Sequence, residues 1–460
     1  MIRHIAALAA FALPVTAGAQ STTQEELEAR HDRALAAGYK SLFLCSALSS
    51  DPSGLRTSES KVERWELTGI YPKLDPIVRT LPHRVVRAAD GFIDTVETEW
   101  ADDMPPRIAQ YRGDTGCALA PIGMTVKPRT VPYAQRIDRV GDPNVYPLRK
   151  DIVRRTQNAA VRAVGETYGE GTRTTAVLVR QADTTRAAVF APGFDQNSVQ
   201  RTWSVAKSIA ATLVGAAVGA GAAEEGGSAG LGVDETDPRR AITLNDTLRM
   251  ASGRYSDTPG NRTDPLYMGG ASVAETALHW PLVHPPGTVF RYANNDTVAA
   301  VKAIDEYLTE NPPIALFERL GMHSTKAETD WQGDYILSSQ VWTSAADLAR
   351  LGQLYLDNGV RNGTRVLPEY WVEYVSTPSG PQPGGARGWG YGAGWWLFNN
   401  HEGIPSDTFF AAGNRGQYVV VVPSRDVVIV RRGEDPAGTR FDIEAFTRDV
   451  LATLADYTFR

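Results

Sequence analysis

The feature that most constrains the fold is a run of small and aliphatic residues in the middle of the chain. Residues 204–219 contain Lys207 near their start and are otherwise Ala, Gly, Val, Leu, Ile, Ser or Thr. A helix that is apolar on all sides must be surrounded by protein, so we expect this segment to be a buried helix. It is too short and too rich in Gly to cross a membrane, and we expect no membrane span in the mature chain.

Strand and helix patterns alternate around this segment. Strands are predicted at 174–179, 187–190, 408–412, 417–422 and 427–431, and helices at 151–168, 347–358 and 443–454. The first two strands are expected to form a hairpin and the last three an antiparallel meander. Short helical pieces between 243 and 308 indicate a helical subdomain. The predicted fold class is α/β in the sense of an α+β sandwich, with an antiparallel sheet flanked by helices plus the helical subdomain.

The N-terminal part differs in pattern from the rest of the chain. Residues 1–19 are typical of a secretory signal peptide, with a basic start, an apolar stretch and a small-residue cleavage site. Residues 20–145 mix apolar pieces with Pro and charge and are predicted to form an accessory region, while 146–460 form the main domain. In an exported protein Cys45 and Cys117 are a possible disulfide, with two free buried thiols as the alternative.

Composition excludes several classes of function. The chain of 460 residues has a formal net charge of -6, so it lacks the positive field that gathers nucleic acids and anionic lipids. Its His residues have no HExxH-type spacing and its Cys residues form no CxxC pair. We expect no nucleic-acid partner, no metal and no other cofactor.

The start of the buried helix carries the chemistry. Ser204 and Lys207 stand three positions apart, which places both side chains on one helix face. Burial disfavours the ammonium form, and a neutral amine can accept the serine proton. Backbone N–H groups at a helix start have no internal partner and can face an oxyanion. The alternative is that Lys207 extends into solvent from the helix end.

Two other serines compete for the nucleophile role. Ser58 and Lys61 repeat the same spacing, but in a polar stretch where Lys61 is expected to be solvated and protonated. Ser228 matches the G-x-S-x-G elbow of α/β-hydrolases. It lies in a Gly-rich loop without the required strand before it, so both serines are disfavoured.

A second segment, Tyr292-Ala293-Asn294, follows a Pro-Gly turn and a predicted short strand. Asp296 is the predicted N-cap of the next helix. A phenol beside an ammonium group loses its proton more readily and can deliver a proton to a leaving group, while an amide can hold Lys207 or the substrate. The alternative is an ordinary core or surface tyrosine.

Several motifs occur in a fixed order along the chain, and together they identify a family more specifically than any single motif does. They are Trp203-Ser204-Val205-Ala206-Lys207-Ser208, Met250-Ala251-Ser252-Gly253, Pro286-Gly287-Thr288, Tyr292-Ala293-Asn294 and Ala412-Gly413-Asn414-Arg415-Gly416-Gln417. In this order the chain resembles class C β-lactamase-like and penicillin-recognising serine hydrolases, nearest to the branch of 6-aminohexanoate-dimer hydrolases and esterases. The resemblance implies a β-lactamase/transpeptidase-like fold for the main domain.

The same resemblance implies roles for individual residues. Ser204 is the implied acylated nucleophile, and Lys207 and Tyr292 share the general acid and base work. Asn294 is implied to support Lys207 or the bound carbonyl.

An oxyanion hole is also implied. It would use the backbone N–H of Ser204 and one from the strand end at Gly413 or Asn414. Further possible substrate contacts are Trp203, Arg415 and Gln417.

One motif departs from the β-lactamase pattern. The stretch Ala411-Ala412-Gly413 stands where β-lactamases carry Lys-Thr-Gly. Loss of that cation removes a charge-assisted hydrogen bond of roughly 1.5–3 kcal/mol to an anionic β-lactam. An inward-turned Arg415 would restore charge, and a solvated loop arginine is the alternative.

The expected substrate is therefore a small-molecule ester or linear amide. A D-amino-acid peptidase, a weak β-lactamase and a catalytically silent protein that binds peptidoglycan or a partner are the alternatives. Five tryptophans can line an acyl pocket or belong to the core: Trp280, Trp342, Trp389, Trp395 and Trp396.

Overall fold

The computed structural model describes residues 22–51, 54, 56–89, 91–127, 129, 149–255, 263–385, 387–399 and 401–454. The signal peptide predicted at 1–19 and the domain boundary near 145 lie outside these residues. In chain order the helices are α1 (Gln24–Ser49), α2 (Glu59–Trp65), α3 (Asp75–Val78), α4 (Arg154–Val164), α5 (Ala206–Gly219), α6 (Leu244–Leu248), α7 (Val273–Thr276), α8 (Asn294–Lys302), α9 (Asp305–Glu310), α10 (Pro313–Leu320), α11 (Ala345–Leu356), α12 (Trp371–Ser376) and α13 (Ile443–Leu451).

The strands, again in chain order, are β1 (His83–Arg87), β2 (Ile93–Thr98), β3 (Arg107–Tyr111), β4 (Cys117–Leu119), β5 (Arg149–Lys150), β6 (Thr174–Gln181), β7 (Thr184–Phe190), β8 (Gln200–Arg201), β9 (Lys326–Ala327), β10 (Val341–Thr343), β11 (Val360–Arg361), β12 (Thr364–Arg365), β13 (Gly390–Tyr391), β14 (Trp396–Leu397), β15 (Phe409–Gly413), β16 (Gln417–Val422) and β17 (Val427–Gly433). None of the helices in the described part of the chain is long and apolar enough to cross a membrane.

The large sheet has the strand order β13-β14-β15-β16-β17-β6-β7-β5. All neighbours are antiparallel except β5 and β7. The predicted hairpin is β6–β7, and the predicted meander is β15–β16–β17. The meander pairs with the hairpin through β17 and β6. The predicted fold class is therefore confirmed.

Helices cover both faces of this sheet. Along β17, Val428 and Val430 pack with α5 and α11 on one face, while Val427 and Ile429 pack with α4 and α13 on the other. This alternation follows from the two-residue period of a strand. Residues 206–217 of α5 are all buried, which confirms the helix predicted to be enclosed by protein.

The N-terminal part has its own small sheet. The antiparallel strands β1-β2-β3-β4 pack against α1, and a disulfide between Cys45 and Cys117 joins α1 to β4. This confirms the predicted pairing. The apolar core of this part includes Trp203 and Trp342 from the main body, so the two parts share one hydrophobic cluster.

Two local expectations near Tyr292 are wrong. Residues 288–291, where the short strand was predicted, have no strand structure, and the next helix begins at Asn294 with Ala293 as its N-cap. Asp296, the predicted N-cap, is instead buried in the first turn and accepts hydrogen bonds from the Ser252 hydroxyl at 2.6 Å and from Arg254 at 3.0 Å. A buried carboxylate without hydrogen-bond partners costs more free energy than an uncapped helix end, so Asp296 pairs with these side chains.

Candidate active site

Ser204 lies in a 3-10 turn, Trp203–Val205, which leads from β8 into α5. Trp203 adopts a positive φ of 51° there, an uncommon conformation for a bulky residue that costs on the order of 1–3 kcal/mol. Its indole is 4% exposed and lies 5.8 Å from the Phe43 ring and 4.3 Å from the Arg201 guanidinium. Packing against the N-terminal part thus holds the turn that presents Ser204.

Lys207 lies one helical turn further on, and its Nζ donates a hydrogen bond to Ser204 Oγ at 3.2 Å. The side chain is only 2% exposed. Its Nζ also donates to Asn294 Oδ1 at 2.6 Å and to the Ser338 carbonyl at 2.8 Å. Burial lowers the pKa of Lys207 to about 7. The alternative in which Lys207 extends into solvent is therefore wrong.

Tyr292 completes the cluster around the serine. Its ring centroid lies 5.0 Å from Lys207 Nζ. Burial raises the pKa of Tyr292, and hydrogen bonds with Ser204 and Trp396 only partly offset this. The direction is opposite to the expected lowering, because burial penalises the phenolate more than its hydrogen bonds stabilise it. The resting phenol is thus a proton donor.

The end of β15 approaches the Ser204 turn closely. A Cβ atom added to Gly413 would lie 2.3 Å from the Thr202 carbonyl oxygen and 3.2 Å from the Ser204 backbone nitrogen. Only a residue without a side chain permits this approach. Asn414 is exposed, and its Oδ1 accepts the Arg415 backbone N–H at 2.9 Å. The backbone at 413–414 therefore runs beside the Ser204 amide, as an oxyanion hole requires.

Arg415 is not the solvated loop arginine of the alternative interpretation. It is 6% exposed, and its Nε donates to Glu434 Oε2 at 2.7 Å. Its Nη2 donates to the carbonyls of Trp65 at 2.7 Å and Thr68 at 3.0 Å. A buried guanidinium requires a partner of this kind. The charge of Arg415 is thus directed to Glu434, and it does not replace the missing Lys of the Lys-Thr-Gly motif.

Gln417 is also held within the protein. It is fully buried, its Oε1 accepts from Arg432 Nε at 2.6 Å, and its Nε2 donates to the carbonyls of Arg415 and Gly433. Trp203, Arg415 and Gln417, proposed as substrate contacts, therefore support the backbone around the site through contacts inside the protein.

Two residues that the sequence patterns missed belong to the same cluster. The Ser338 carbonyl accepts from Lys207, and the Ser338 hydroxyl shares a hydrogen bond of 2.6 Å with the Tyr267 hydroxyl. Ser338 lies 131 positions from Lys207, and no motif marks it. Only the packing of β10 beside β8 brings the segment before β10 to the amine.

The five tryptophans divide into two groups. Trp342 and Trp395 are core residues, 1% and 0% exposed, and Trp280 packs against Tyr255. Trp396 lies 5.3 Å from the Tyr292 ring and 5.8 Å from Trp389. Trp396 therefore borders the site, and Trp389 contacts Trp396 but none of the described site residues.

The two competing serines, Ser228 and Ser58, have surroundings unlike those of Ser204. Ser228 lies exposed in a loop, where its Oγ accepts the Gly230 N–H at 3.1 Å. Ser58 is the N-cap of α2, and Lys61 is half-buried, not solvated, because its Nζ donates to the carbonyls of Arg56 and Gly193. Within the described residues there is no cluster of His, Cys, Asp and Glu side chains that could hold a metal ion.

Comparisons with known proteins identify the family and the fold. The Beta-lactamase family model matches residues 158–452. The curated 6-aminohexanoate-dimer hydrolase of Paenarthrobacter ureafaciens is 32% identical over 114 residues, which are 23% of this chain and 28% of that protein. The chain thus matches little more than a quarter of the length of that relative.

Two solved structures show the same fold. A Bacillus anthracis protein proposed to be a 6-aminohexanoate-dimer hydrolase gives a TM-score of 0.54 at 19% identity, over 67% of this chain and 86% of that one. A Bacteroides dorei DSM 17855 protein proposed to be a beta-lactamase gives 0.50 at 19% identity, over 60% of this chain and 89% of that one. Because the family match covers residues 158–452, well over half of the chain and including the Ser204 cluster, this chain belongs to the Beta-lactamase family.

Proposed function

We propose that the protein is an exported serine hydrolase that forms an acyl-enzyme on Ser204 and cleaves an ester or a linear amide. The observation that carries this proposal is the buried Lys207 amine, 3.2 Å from Ser204 Oγ and with a pKa of about 7. An amine with this pKa is about half neutral at pH 7, and the neutral form can take the serine proton. An exposed lysine cannot, because it stays protonated.

Acylation follows from the positions of these groups. Ser204 Oγ attacks the substrate carbonyl while its proton moves to Lys207 Nζ, and Asn294 Oδ1 and the Ser338 carbonyl stabilise the ammonium that forms. The oxyanion is held by the Ser204 N–H and by an amide at 413–414. The protonated Tyr292 phenol donates to the leaving oxygen or nitrogen and regains a proton from Lys207. Water then attacks the acyl-enzyme by the reverse proton path.

The preference for an ester or linear amide over a β-lactam rests on charge. Ala411-Ala412-Gly413 carries no cation, and Arg415 beside it is paired with Glu434. The partial relative named as a 6-aminohexanoate-dimer hydrolase supports linear amides as a substrate class.

Export and the division of the chain are part of the proposal. The signal-like residues 1–19 and the disulfide between Cys45 and Cys117 both favour an oxidising compartment. Residues 20–145 are proposed to be an accessory region that packs on the catalytic domain at 146–460.

A labelling experiment tests the nucleophile. A fluorophosphonate probe followed by peptide mass mapping is expected to modify Ser204 in the wild-type protein, with Ser204→Ala unlabelled and Ser228→Ala labelled like the wild type. An adduct on Ser228 would contradict the assignment. No adduct with any acylating probe would favour a catalytically silent binding protein.

A substrate panel tests the reaction. We expect hydrolysis of p-nitrophenyl esters or short amide oligomers, abolished by Ser204→Ala, and slow turnover of nitrocefin. Nitrocefin as the best substrate of the panel would overturn the proposed substrate class and leave the nucleophile in place.

A further inference from the structure

A groove beside the active site takes no part in the proposed acylation of Ser204. It has a volume of about 430 Å³ and is lined by Pro383, Arg387, Trp389, Trp396 and Arg440, together with glycines. Its walls are mainly apolar and its charged atoms are guanidinium groups. Such a combination fits a ligand with an apolar body and an anionic end.

Trp396 connects this groove to the active site. Its ring lies 5.3 Å from Tyr292 and 5.8 Å from Trp389, so one indole contacts the phenol and also lines the groove. Trp396 lies on β14 and pairs with Phe410 of β15, the strand that ends at Gly413 beside Ser204. Trp396 is thus the residue shared by the groove and by the surroundings of Tyr292.

The two arginines lie close to the same tryptophan. The guanidinium of Arg387 lies 4.6 Å from the Trp389 ring centroid and that of Arg440 lies 6.0 Å from it. Both side chains are exposed, and no carboxylate among the described residues forms an ion pair with either. Partial desolvation lowers the pKa of Arg387, and so does the like charge of Arg440. An anion bound near both guanidinium groups would relieve this repulsion.

The nearby carboxylate Glu444 is engaged elsewhere. Its Oε1 accepts the Trp389 indole N–H at 2.6 Å, and its Oε2 pairs with His401 Nδ1 at 3.1 Å. It attracts Arg387 only through space. The arginine pair therefore keeps its hydrogen-bond donors available, and guanidinium groups match a carboxylate with two parallel bonds.

We propose that this groove binds a carboxylate at the far end of the substrate, with Arg387 and Arg440 as donors and Trp389 and Trp396 as walls for an aliphatic chain. This inference rests on the proposed function, which it narrows to esters or linear amides whose chain ends in a carboxylate. The groove lies on the Trp396 side of the site. Its arginines are at different positions from Ala411-Ala412-Gly413, where β-lactamases carry the Lys of Lys-Thr-Gly.

Kinetics on a matched pair of substrates test the groove. The mono-p-nitrophenyl ester of adipic acid carries a free carboxylate, and its methyl-capped counterpart does not. For the double variant Arg387→Gln/Arg440→Gln, we expect kcat/KM for the free acid to fall about tenfold or more, mainly through KM. The capped ester should be unaffected. The control Arg84→Gln, an exposed arginine on β1, should leave both substrates unchanged.

A binding measurement separates this inference from the proposed reaction. Titration calorimetry of Ser204→Ala with the half-amide of adipic acid should detect binding that weakens with added salt and with the arginine substitutions. Arginine-dependent binding without hydrolysis by the wild type would support carboxylate binding in the groove and refute the proposed reaction. Absent or arginine-independent binding, or an equal loss of activity on both esters, would overturn the groove.

Discussion

At the scale of single residues, two Ser-x-x-Lys segments show how the same spacing serves two purposes. Ser204 Oγ receives a hydrogen bond from Lys207 Nζ. Ser58 Oγ instead accepts the backbone N–H of Lys61 at 3.3 Å and caps α2, while the Lys61 amine is directed to other carbonyls. Spacing brings the pair within reach, and the surroundings of the amine decide what it does.

The pH dependence of hydrolysis reports the state of Lys207. The amine acts as a base only when neutral, so activity is gained as pH rises through its pKa of about 7. For a neutral ester we expect kcat/KM to rise about tenfold per pH unit well below that value and to level off above it. Nitrophenol release is followed at its isosbestic wavelength.

Lys207→Met serves as the test of this assignment. It should slow acylation by about 100-fold or more and remove the acidic limb of the profile, while circular dichroism shows an intact fold. A flat profile in the wild type, or an unchanged limb in the variant, would remove Lys207 from the mechanism.

At the scale of elements, the site depends on the approach of β15 to the turn before α5. The absence of a side chain at Gly413 permits the short distances to the Thr202 carbonyl and the Ser204 amide. The turn itself is held by Trp203, whose positive φ is maintained by packing. Both amides of the proposed oxyanion hole thus rely on contacts between different elements.

Gly413→Ala should push the end of β15 away from the turn that carries Ser204. The new methyl group meets backbone atoms that cannot yield, so the end of β15 must move, and we expect kcat to fall about 100-fold or more through loss of an oxyanion donor. Gly226→Ala is the control, because a Cβ there meets no heavy atom within 4 Å. Ester hydrolysis and urea unfolding measure both variants. Equal kcat in the wild type and Gly413→Ala would contradict the oxyanion assignment.

At the scale of the whole molecule, the N-terminal part supports the catalytic segments from two sides. Trp203 packs into its hydrophobic cluster. Arg415, in the loop after β15, donates to the carbonyls of Trp65 and Thr68 and pairs with Glu434. The loops on either side of the proposed oxyanion hole are therefore anchored to the same N-terminal unit.

Arg415→Met tests this anchoring. Removal of one partner from a buried ion pair leaves Glu434 uncompensated and should lower the free energy of unfolding by about 3–5 kcal/mol, as measured by urea denaturation. Arg84→Met, which breaks the exposed pair with Glu97, should change it far less. Similar small losses in both variants would show that Arg415 does not anchor the loop.

Much of the architecture was predictable because it depends on local periodicity. The apolar helix after Ser204, the hairpin and the three-stranded meander follow from side-chain patterns that repeat within each element. The helix expected after Tyr292 begins earlier than predicted, because buried contacts of Asp296 with Ser252 and Arg254 replace the cap. Such contacts join segments far apart in sequence and leave no local pattern.

The sequence by itself determined that Ser204 and Lys207 meet, since a helical turn places residues three apart on one face. Only the tertiary structure decided that this amine has a pKa of about 7, because its burial and its acceptors Asn294 and Ser338 come from distant segments. The same holds for the raised pKa of Tyr292 and for the ion pair of Arg415. Helix geometry is set by neighbouring backbone bonds, whereas desolvation depends on everything that packs around a group.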